Sequence, residues 1–398
     1  MQNNTNNKYC PDCEMPRSHH IHTWLEELIT NVFLPKATGN WSRKLDGQID
    51  AIMENVFTAI NLAKIDETFS DDELQLRTFY FIEEAKKHGF TFNILRSRFG
   101  VTNHFQMFYQ GKKIRFDNLP TAQFANSKNA AVIDDKHKCK QLLKQGGFPV
   151  AEGRAFWLWQ KNKALNYGES QLGFPLVVKP RSGSVSRHVT TNINNTEQLR
   201  AAIKKSGQYS PAFIIEKFVP NSFVHRATII DFTFLACAKQ ISAHVIGNGQ
   251  DCIEELIRKK NNDPRRDEKF LHKLKFNTAS ESLLTEQGLT LQSIPQSDKT
   301  IFLQKDPFMK YGGDIAEVTD QVHPDNSKLF FDIAKYFDSR VVGLDFITAD
   351  ISKSWKNQPS AVLELNSLPC IEMHHRPTYG QPQNPAKALV NMVLKYYL

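Results

Sequence analysis

Long apolar runs are missing from this sequence of 398 residues. No stretch approaches the roughly 18 consecutive apolar residues that cross a bilayer, which excludes a membrane-spanning helix. The amino terminus, MQNNTNNKYC, lacks the apolar core of a secretory signal. The six cysteines are few and mostly scattered, which does not suit a disulfide framework. We therefore expect reduced thiols and a cytoplasmic protein.

Internal repeats, low-complexity tracts and dense basic blocks are also absent. The formal net charge is +8, but the basic runs Arg258–Lys260 and Arg265–Arg266 are interrupted by Asp263 and Asp267. This interruption favours a solvated helix end over a nucleic-acid surface. Nucleotide phosphates would satisfy the positive charge as readily as nucleic acid. We expect neither a nucleic-acid partner nor a membrane partner.

What is present is a globular proportion of hydrophobic residues, 40%, in a chain long enough for two or three packed units. Apolar residues recur near a 3.6-residue spacing between Trp24 and Lys87, which predicts helices. The stretch from Phe90 to Phe116 alternates and predicts a strand followed by a hairpin.

Strands and helices are mixed but do not alternate regularly in the rest of the chain, which predicts an α+β fold. The predicted strands are Leu176–Lys179, Phe213–Glu216, Ala227–Leu235, Thr300–Leu303, Val341–Thr348 and Ala361–Leu365. The predicted helices are Lys136–Gln145 (capped by Asp135 and stopped at Gly146–Gly147), Thr196–Lys205, Cys252–Lys260, Ser327–Phe337 and Pro385–Lys395.

Acidic residues near the carboxyl terminus form the first candidate site. Asp345 lies in one apolar strand, and Glu364 and Asn366 follow in another. Residues two apart in a strand face the same side, so three oxygen ligands converge if the two strands are neighbours. Such oxygens suit Mg²⁺. Taken singly, each carboxylate is equally well explained as solvated or paired with lysine; together the three favour a metal.

A strand ending at Lys179 forms the second candidate site. It leads into a small-residue loop that contains Ser182, Gly183 and Ser184. Such a loop offers backbone N–H groups to phosphates, and Lys179 offers a compact cation. One glycine makes a weak phosphate loop, and the loop has neither the Walker A nor the Rossmann pattern.

The third candidate is the segment from Glu216 to Pro220. A strand that runs into an extended, proline-ended segment can present backbone groups to an adenine edge. Glu216 can accept a hydrogen bond from the adenine amino group, and Phe218 or Val219 can line the ring pocket. In isolation, an ordinary strand followed by a turn explains this segment better.

Taken in order, these elements resemble the ATP-grasp superfamily of carboxylate–amine ligases, and in particular the ATP-grasp portion of cyanophycin synthetase. D-alanine–D-alanine ligase and glutathione synthetase look like more distant relatives. The resemblance covers roughly residues 131–398. It rests on Asp135-Lys136, the Lys179 loop, Glu216 to Val219, Asp345 and Glu364-x-Asn366, together with the words AHVIGNG (243–249), DPRR (263–266), GLTL (288–291) and HPDN (323–326).

The resemblance implies an ATP-grasp fold in which two α+β subdomains clasp ATP, preceded by an N-terminal α/β domain. The implied division is a polar tail at 1–23, the N-terminal domain at 24–130, the central subdomain at 131–220 and the C-terminal subdomain with the metal site at 221–398.

The resemblance also implies roles for individual residues. It assigns ATP binding to Lys136, Lys179, Ser182, Gly183, Ser184, Glu216, Phe218 and Val219. It assigns Mg²⁺ to Asp345, Glu364 and Asn366, with two ions expected and Mn²⁺ as a substitute. Arg226 matches an arginine near nucleotide and substrate, and Lys305 lies near an arginine that steadies developing negative charge.

The implied reaction activates a carboxylate as an acyl phosphate, which an amine then attacks. Amino-acid or peptide substrates are expected, and a homo-oligomer is left open. Three alternatives remain: an ATP-binding regulatory protein that has lost turnover, a small-molecule kinase and, more weakly, a nucleic-acid binder. Ser186 and His188 stand where relatives usually carry glycine, and an acid often found for ribose is missing. The second, Mur-ligase-like domain of cyanophycin synthetase is absent, so we expect one joining step rather than a polymerase.

Four further features remain open. Cys10 and Cys13 have the spacing of half a tetrahedral zinc site, and His19, His20 and His22 follow, but no second C-x-x-C exists. A plain exposed tail is therefore favoured over structural zinc. The glycines in 311–314 suit a mobile lid, and Arg265 and Arg266 suit a grip on an acidic substrate. His374, His375 and Arg376 suit either a substrate contact or a structural surface loop.

Overall fold

The structure is a computed structural model. It describes residues 9–10, 15–28, 54–98, 100–121, 130–181, 187–305, 307 and 309–397. Within those ranges the strands form four sheets, and the mixture of helix and sheet confirms the predicted α+β class. The helices described there are all too short or too polar to cross a membrane.

The first sheet is antiparallel and lies in the N-terminal part of the chain. Its order is β1 (Ala63–Asp66), β2 (Thr91–Ser97), β3 (Gly100–Tyr109) and β4 (Lys112–Asp117). The predicted strand and hairpin are confirmed, and the hairpin turns at Gln110 and Gly111. Both residues have positive φ, 46° and 76°, as the tight turns that match strand twist require. The predicted run of helices is wrong at β1.

Helices described in this part are α1 (Arg17–Leu28), residues 54–59 and α2 (Leu76–Lys87). Helix α2 packs on the C-terminal helix α10 (Pro385–Tyr397). The apolar side chains of the two regions share one core, whose large members include Phe81, Ile82, Phe105, Met107, Leu389 and Val393. The first sheet is therefore anchored to the carboxyl-terminal end of the chain.

The second sheet has the order β5 (Gly153–Trp157), β8 (Ala212–Lys217), β6 (Leu176–Pro180) and β7 (Thr190–Ile193). One face packs on helices α4 (Lys161–Asn166) and α5 (Thr196–Gly207) through a core that includes Phe213 and Ile215. Because side chains alternate along a strand, Glu216 of β8 points to the opposite face. This is the face on which the candidate nucleotide residues lie.

The third sheet carries the predicted metal residues. Its order is β13 (Asp314–Glu317), β10 (Phe234–Ile241), β9 (Phe223–Ile230), β14 (Val341–Thr348) and β15 (Ser360–Asn366). The single strand predicted at Ala227–Leu235 is wrong, because the chain reverses there and forms the β9–β10 hairpin. Asp231 and Phe232 at the turn have positive φ, 50° and 58°. The turn contains neither glycine nor proline, so the sequence does not indicate it.

Two helices cover one face of the third sheet, α3 (Lys136–Gln145) and α8 (Pro324–Tyr336). The predicted cap is confirmed: the Asp135 carboxylate accepts hydrogen bonds from the backbone N–H groups of His137 and Lys138. Helix α3 ends at Gly146, as predicted. The remaining elements are β11 (His244–Ile246), α6 (Ile253–Asn261), α7 (Thr278–Glu286), β12 (Thr300–Phe302) and the short α9 (Glu372–His375).

Candidate functional site

The acids predicted to bind metal lie on neighbouring strands. Strands β14 and β15 are antiparallel, and their register sets Asp345 directly opposite Glu364. Glu364 is close enough to raise the pKa of Asp345, so the two side chains occupy the same face of the sheet. Asn366 lies two residues beyond Glu364 and therefore faces the same side. The conditional prediction that the two strands would be neighbours is thus confirmed for the backbone.

Arg226 completes this row from the other side. It lies on β9 opposite Asp345, and its guanidinium grips the carboxylate with two hydrogen bonds, Nε–Oδ1 at 2.5 Å and Nη2–Oδ2 at 3.0 Å. Burial raises the pKa of Asp345, and Arg226 opposes that rise. Paired arginine is what allows a carboxylate to stay in so buried a position.

Glu364 is paired with a lysine from a helix. Lys136, the first residue of α3, places Nζ 2.9 Å from Glu364 Oε2. Although burial acts against it, Lys136 holds the pKa of Glu364 near 2, and Lys179 adds to the effect. Lys179 belongs to the second sheet, so this influence on Glu364 indicates that the ends of the second and third sheets lie close together. The carboxylate is ionised at neutral pH and ready to bind a cation.

The second sheet contributes a buried cluster of opposite charges. Glu216 is 3% exposed; one of its oxygens lies 2.9 Å from Lys179 Nζ and the other 2.5 Å from Lys140 Nζ. Burial would raise the pKa of Glu216, but the two lysines lower it. The adenine role predicted for Glu216 is therefore not open in this conformation, because both oxygens already hold ammonium groups.

Lys140 is the residue that sequence reasoning missed. It lies one helical turn after Lys136, and residues four apart lie on the same helix face. Helix α3 thus offers one ammonium group to the third sheet and another to the second. The i, i+4 spacing of the two lysines was the available signal.

The donor set suits magnesium. Asp345, Glu364 and Asn366 provide carboxylate and amide oxygens, the ligands that Mg²⁺ prefers. The Asn366 side-chain nitrogen is buried without a hydrogen-bond partner among the described residues, so this amide has no evident structural task. These three residues would hold the ion. Arg226 and Lys136 are the cations that now balance the negative charge of Asp345 and Glu364.

The predicted adenine segment lies just past β8. Phe218 is partly buried and its N–H donates to the Pro175 carbonyl, at 3.1 Å. The Val219 carbonyl accepts a 2.6 Å hydrogen bond from the Ser222 hydroxyl. The three predicted loop residues Ser182, Gly183 and Ser184 lie outside the described residues.

Among the described residues, the Lys305 side chain contacts an acid outside this site. Its ammonium group pairs with Glu286 at 2.9 Å, and both side chains are more than half exposed, 61% and 57%. An exposed pair of this kind contributes little to stability. The catalytic role of Lys305 remains a prediction.

A cationic cavity of about 440 Å³ opens beside the end of β6. Arg181 follows that strand directly, and Arg154, Lys163 and His137 also line the cavity. Such a lining suits an anionic group. Because His137 and Lys136 are neighbours in α3, the cavity adjoins the candidate site.

Several substrate contacts suggested by the sequence have structural partners instead. Arg266 is 4% exposed and is paired with the buried Asp314, so its guanidinium group is not accessible to an acidic substrate. Arg265 pairs with Asp263 at 2.7 Å. A Cβ on Gly312 would meet the Leu274 backbone at 2.5 Å, so this glycine allows close packing rather than the freedom of a lid.

The three residues at 374–376 also have partners inside the protein. His374 is fully buried, with Thr228 and Glu317 each 2.8 Å from its ring nitrogens. His375 stacks on Tyr80 with ring centroids 4.2 Å apart. Arg376 pairs with Asp267. The structural reading of this loop is therefore supported for the histidines.

Comparison with known proteins agrees with this arrangement. A family profile described as D-ala D-ala ligase C-terminus matches residues 142–231. Cyanophycin synthetase of Trichormus variabilis is 30% identical over 337 residues, covering 84% of this chain and 36% of that protein. The glutathione biosynthesis bifunctional protein of Clostridium perfringens is 25% identical over 334 residues, covering 81% and 41%. The chain therefore spans between a third and a half of the length of these relatives.

A solved structure extends the likeness to the fold. The bifunctional glutathione synthetase from Pasteurella multocida superposes with a TM-score of 0.63 at 22% identity, covering 82% of this chain and 44% of that one. The resemblance and the fold predicted from the sequence are thus confirmed. The chain belongs to the ATP-grasp superfamily and is similar to the ATP-grasp portion of cyanophycin synthetase.

Proposed function

We propose that this protein is an ATP- and Mg²⁺-dependent ligase that activates a carboxylate as an acyl phosphate and joins it to an amine. The observation that carries the proposal is that helix α3 joins two charge clusters through Lys136 and Lys140. One cluster is the acid row of Asp345 and Glu364, and the other is Lys179 and Lys140 around Glu216. Phosphoryl transfer needs both a metal site and fixed cations.

The lysines supply the phosphate-binding part of the proposal. Lys136, Lys140 and Lys179 are each paired with an acid. Triphosphate oxygens would compete with those acids for the same ammonium groups. Release of Lys140 and Lys179 would also free Glu216 to accept from the adenine amino group. This exchange reconciles the adenine role predicted for Glu216 with its present partners.

Asp345, Glu364 and Asn366 supply the metal-binding part. Magnesium bound there would neutralise charge on the phosphate oxygens. We extend the proposal to two ions, with Mn²⁺ as a substitute. Arg226 holds Asp345 in place and offsets the repulsion between the two neighbouring carboxylates. Arg226 would also be available to contact the substrate or the phosphate.

The substrates are proposed by analogy with the named relatives. Amino acids or peptides are the expected carboxylate and amine, and a homo-oligomer is compatible with the chain. The described cysteines, namely Cys10, Cys139, Cys237, Cys252 and Cys370, are all free thiols. That state supports work in a reducing compartment such as the cytoplasm.

The test is product formation by the full chain with ATP, Mg²⁺ and a pool of amino acids and dipeptides. We expect ADP release that depends on the pool, and a product whose mass equals two substrates less one water. A stable phosphorylated product would instead identify a kinase. Nucleotide binding without ADP release under any substrate would indicate a regulatory protein and overturn the proposal.

A further inference from the structure

Three side chains of types that bind metals meet away from Asp345 and Glu364. They are Cys10 and His20 from the amino-terminal segment and His188, which lies just before β7 of the second sheet. Their ligand atoms all lie within 4.8 Å of one another. Cys10 and His188 are 178 residues apart in sequence, so the fold alone brings them together. We propose that these three residues bind a borderline-soft divalent ion, Zn²⁺ being the best match.

The distances suit a common metal ion. Zinc binds thiolate at about 2.3 Å and imidazole nitrogen at about 2.0–2.1 Å in tetrahedral geometry, which places sulfur and nitrogen about 3.6 Å apart. Cys10 Sγ and His188 Nε2 are 3.6 Å apart. One thiolate with two imidazoles is a donor set that selects zinc over magnesium or calcium.

The amino-terminal segment is shaped to present its two ligands. Tyr9 and Pro16 form a β-bridge, and the Cys10 N–H donates to the Met15 carbonyl at 2.8 Å. Cys10 and Met15 therefore lie side by side just before α1, whose first turn carries His20. The Trp24 indole then donates to the Gly207 carbonyl at 3.2 Å and fixes α1 against the end of α5.

Both imidazoles have the outer hydrogen bonds that metal-binding histidines usually make. His188 Nδ1 lies 3.1 Å from the Lys205 carbonyl, so its N–H donates there and Nε2 is left to face Cys10. His20 is hydrogen-bonded to the backbone of Gln208. Tyr209 packs against both rings, with centroids 5.2 and 5.3 Å away.

All three proposed ligands are buried. Cys10, His20 and His188 are 4%, 7% and 2% exposed. Cys13 lies outside the described residues, so the proposal rests on these three ligands alone.

The exposed-tail prediction is wrong at Cys10, which is buried. The proposed ion would tie the amino-terminal segment to His188. His188 has positive φ, 55°, at a position where the resemblance predicts glycine. A ligand role explains why a histidine occupies it. The inference is independent of the proposed ligase activity.

The first experiment is metal analysis of the full chain, purified without a metal-affinity column. Elemental mass spectrometry should find about one zinc per chain, and Cys10→Ser or His188→Ala should reduce it to about a tenth or less. Cys252→Ser and His22→Ala are the matched controls, since neither belongs to the cluster, and both should retain the metal. Equal zinc in His188→Ala and in its control would overturn the proposal.

A second measurement avoids dependence on variants that fold poorly. Wild-type protein stripped by a chelator and refilled with Co²⁺ should show the absorption of a tetrahedral, thiolate-bound ion. Chelation should also lower the melting temperature of the wild type but not that of His188→Ala. Wild-type protein that retains no zinc and gives no such cobalt spectrum would overturn the proposal directly.

Discussion

Lys136 and Lys140 lie one helical turn apart in α3, and each holds an acid from a different sheet. Lys136 is paired with Glu364 of the third sheet, and Lys140 with Glu216 of the second. The same helix therefore links the proposed metal site to the proposed nucleotide site. ATP would have to replace both of these ion pairs. Substitutions at these residues therefore test the proposed function.

Removal of either metal acid should abolish ligation. Glu364→Gln and Asp345→Asn should each lower turnover roughly 10²–10³-fold, the loss typical of one preorganised group that stabilises transition-state charge. The fold should persist in both. Asp345→Asn should also lower the free energy of unfolding by about 3 kcal/mol, because Arg226 keeps a buried charge without a charged partner. ADP release and chemical denaturation measure the two effects.

The matched control for the acids is Asp332→Asn, which removes an exposed carboxylate paired with Lys328. It should change neither turnover nor stability beyond about 0.5 kcal/mol. Near-normal turnover in Glu364→Gln would disprove the metal assignment.

Lys140 should affect nucleotide affinity as well as stability. Lys140→Met leaves the buried Glu216 with one partner, which should destabilise the protein by about 3 kcal/mol and raise the KM for ATP about tenfold, equivalent to about 1.4 kcal/mol. The double variant Lys140→Met with Glu216→Gln also leaves the buried Lys179 without its carboxylate partner, so it should be less stable still and should not regain ATP affinity. An unchanged KM for ATP in both variants would reduce Lys140 to a structural role.

Lys305 offers a contrast between stability and catalysis. Its side chain is 61% exposed and paired only at the surface in the contacts described, so Lys305→Ala should leave the unfolding free energy within about 0.5 kcal/mol of wild type. If Lys305 steadies charge during the reaction, kcat should still fall. Glu286→Ala removes the surface partner and should leave kcat unchanged. Equal kcat in Lys305→Ala and wild type would refute the predicted role.

Acid should weaken the fold through the buried His225 and the partly buried His375. Burial lowers the pKa of His225 and of His375 to about 4, with Lys239 and His374 adding to the effect. The unfolded chain takes up these protons near its ordinary pKa of about 6.5. Stability should therefore be unaffected by these groups above pH ~6.5 and fall as pH drops towards 4.

The expected loss at pH 5 is about 1–2 kcal/mol for each histidine. Urea unfolding at pH 7 and pH 5 measures it. His375→Gln and His225→Gln should each reduce the difference between the two pH values, whereas the exposed His22→Gln should not. Variants with the same pH dependence as wild type would exclude these two histidines as the cause.

Several local features were predictable because their causes lie within a few residues. The Asp135 carboxylate caps the N–H groups two and three residues later, so one acid is enough to set the start of α3. Strand β14 was predictable because its own residues form an apolar run. The β9–β10 hairpin was missed because both strands are apolar and the turn residues Asp231 and Phe232 carry no glycine or proline signal. Their positive φ is imposed by strand pairing.

By itself, the sequence determined the α+β class, the family resemblance and the residue types that could bind metal and phosphate. Only the tertiary structure decided which of them meet. Arg226 and Asp345 lie 119 residues apart, and Cys10 and His188 lie 178 apart. Contacts at such separations depend on sheet order and on the packing of whole elements, which local propensity does not encode. Charge pairing depends on that packing too, so Lys140 emerged as a partner of Glu216 only in the folded chain.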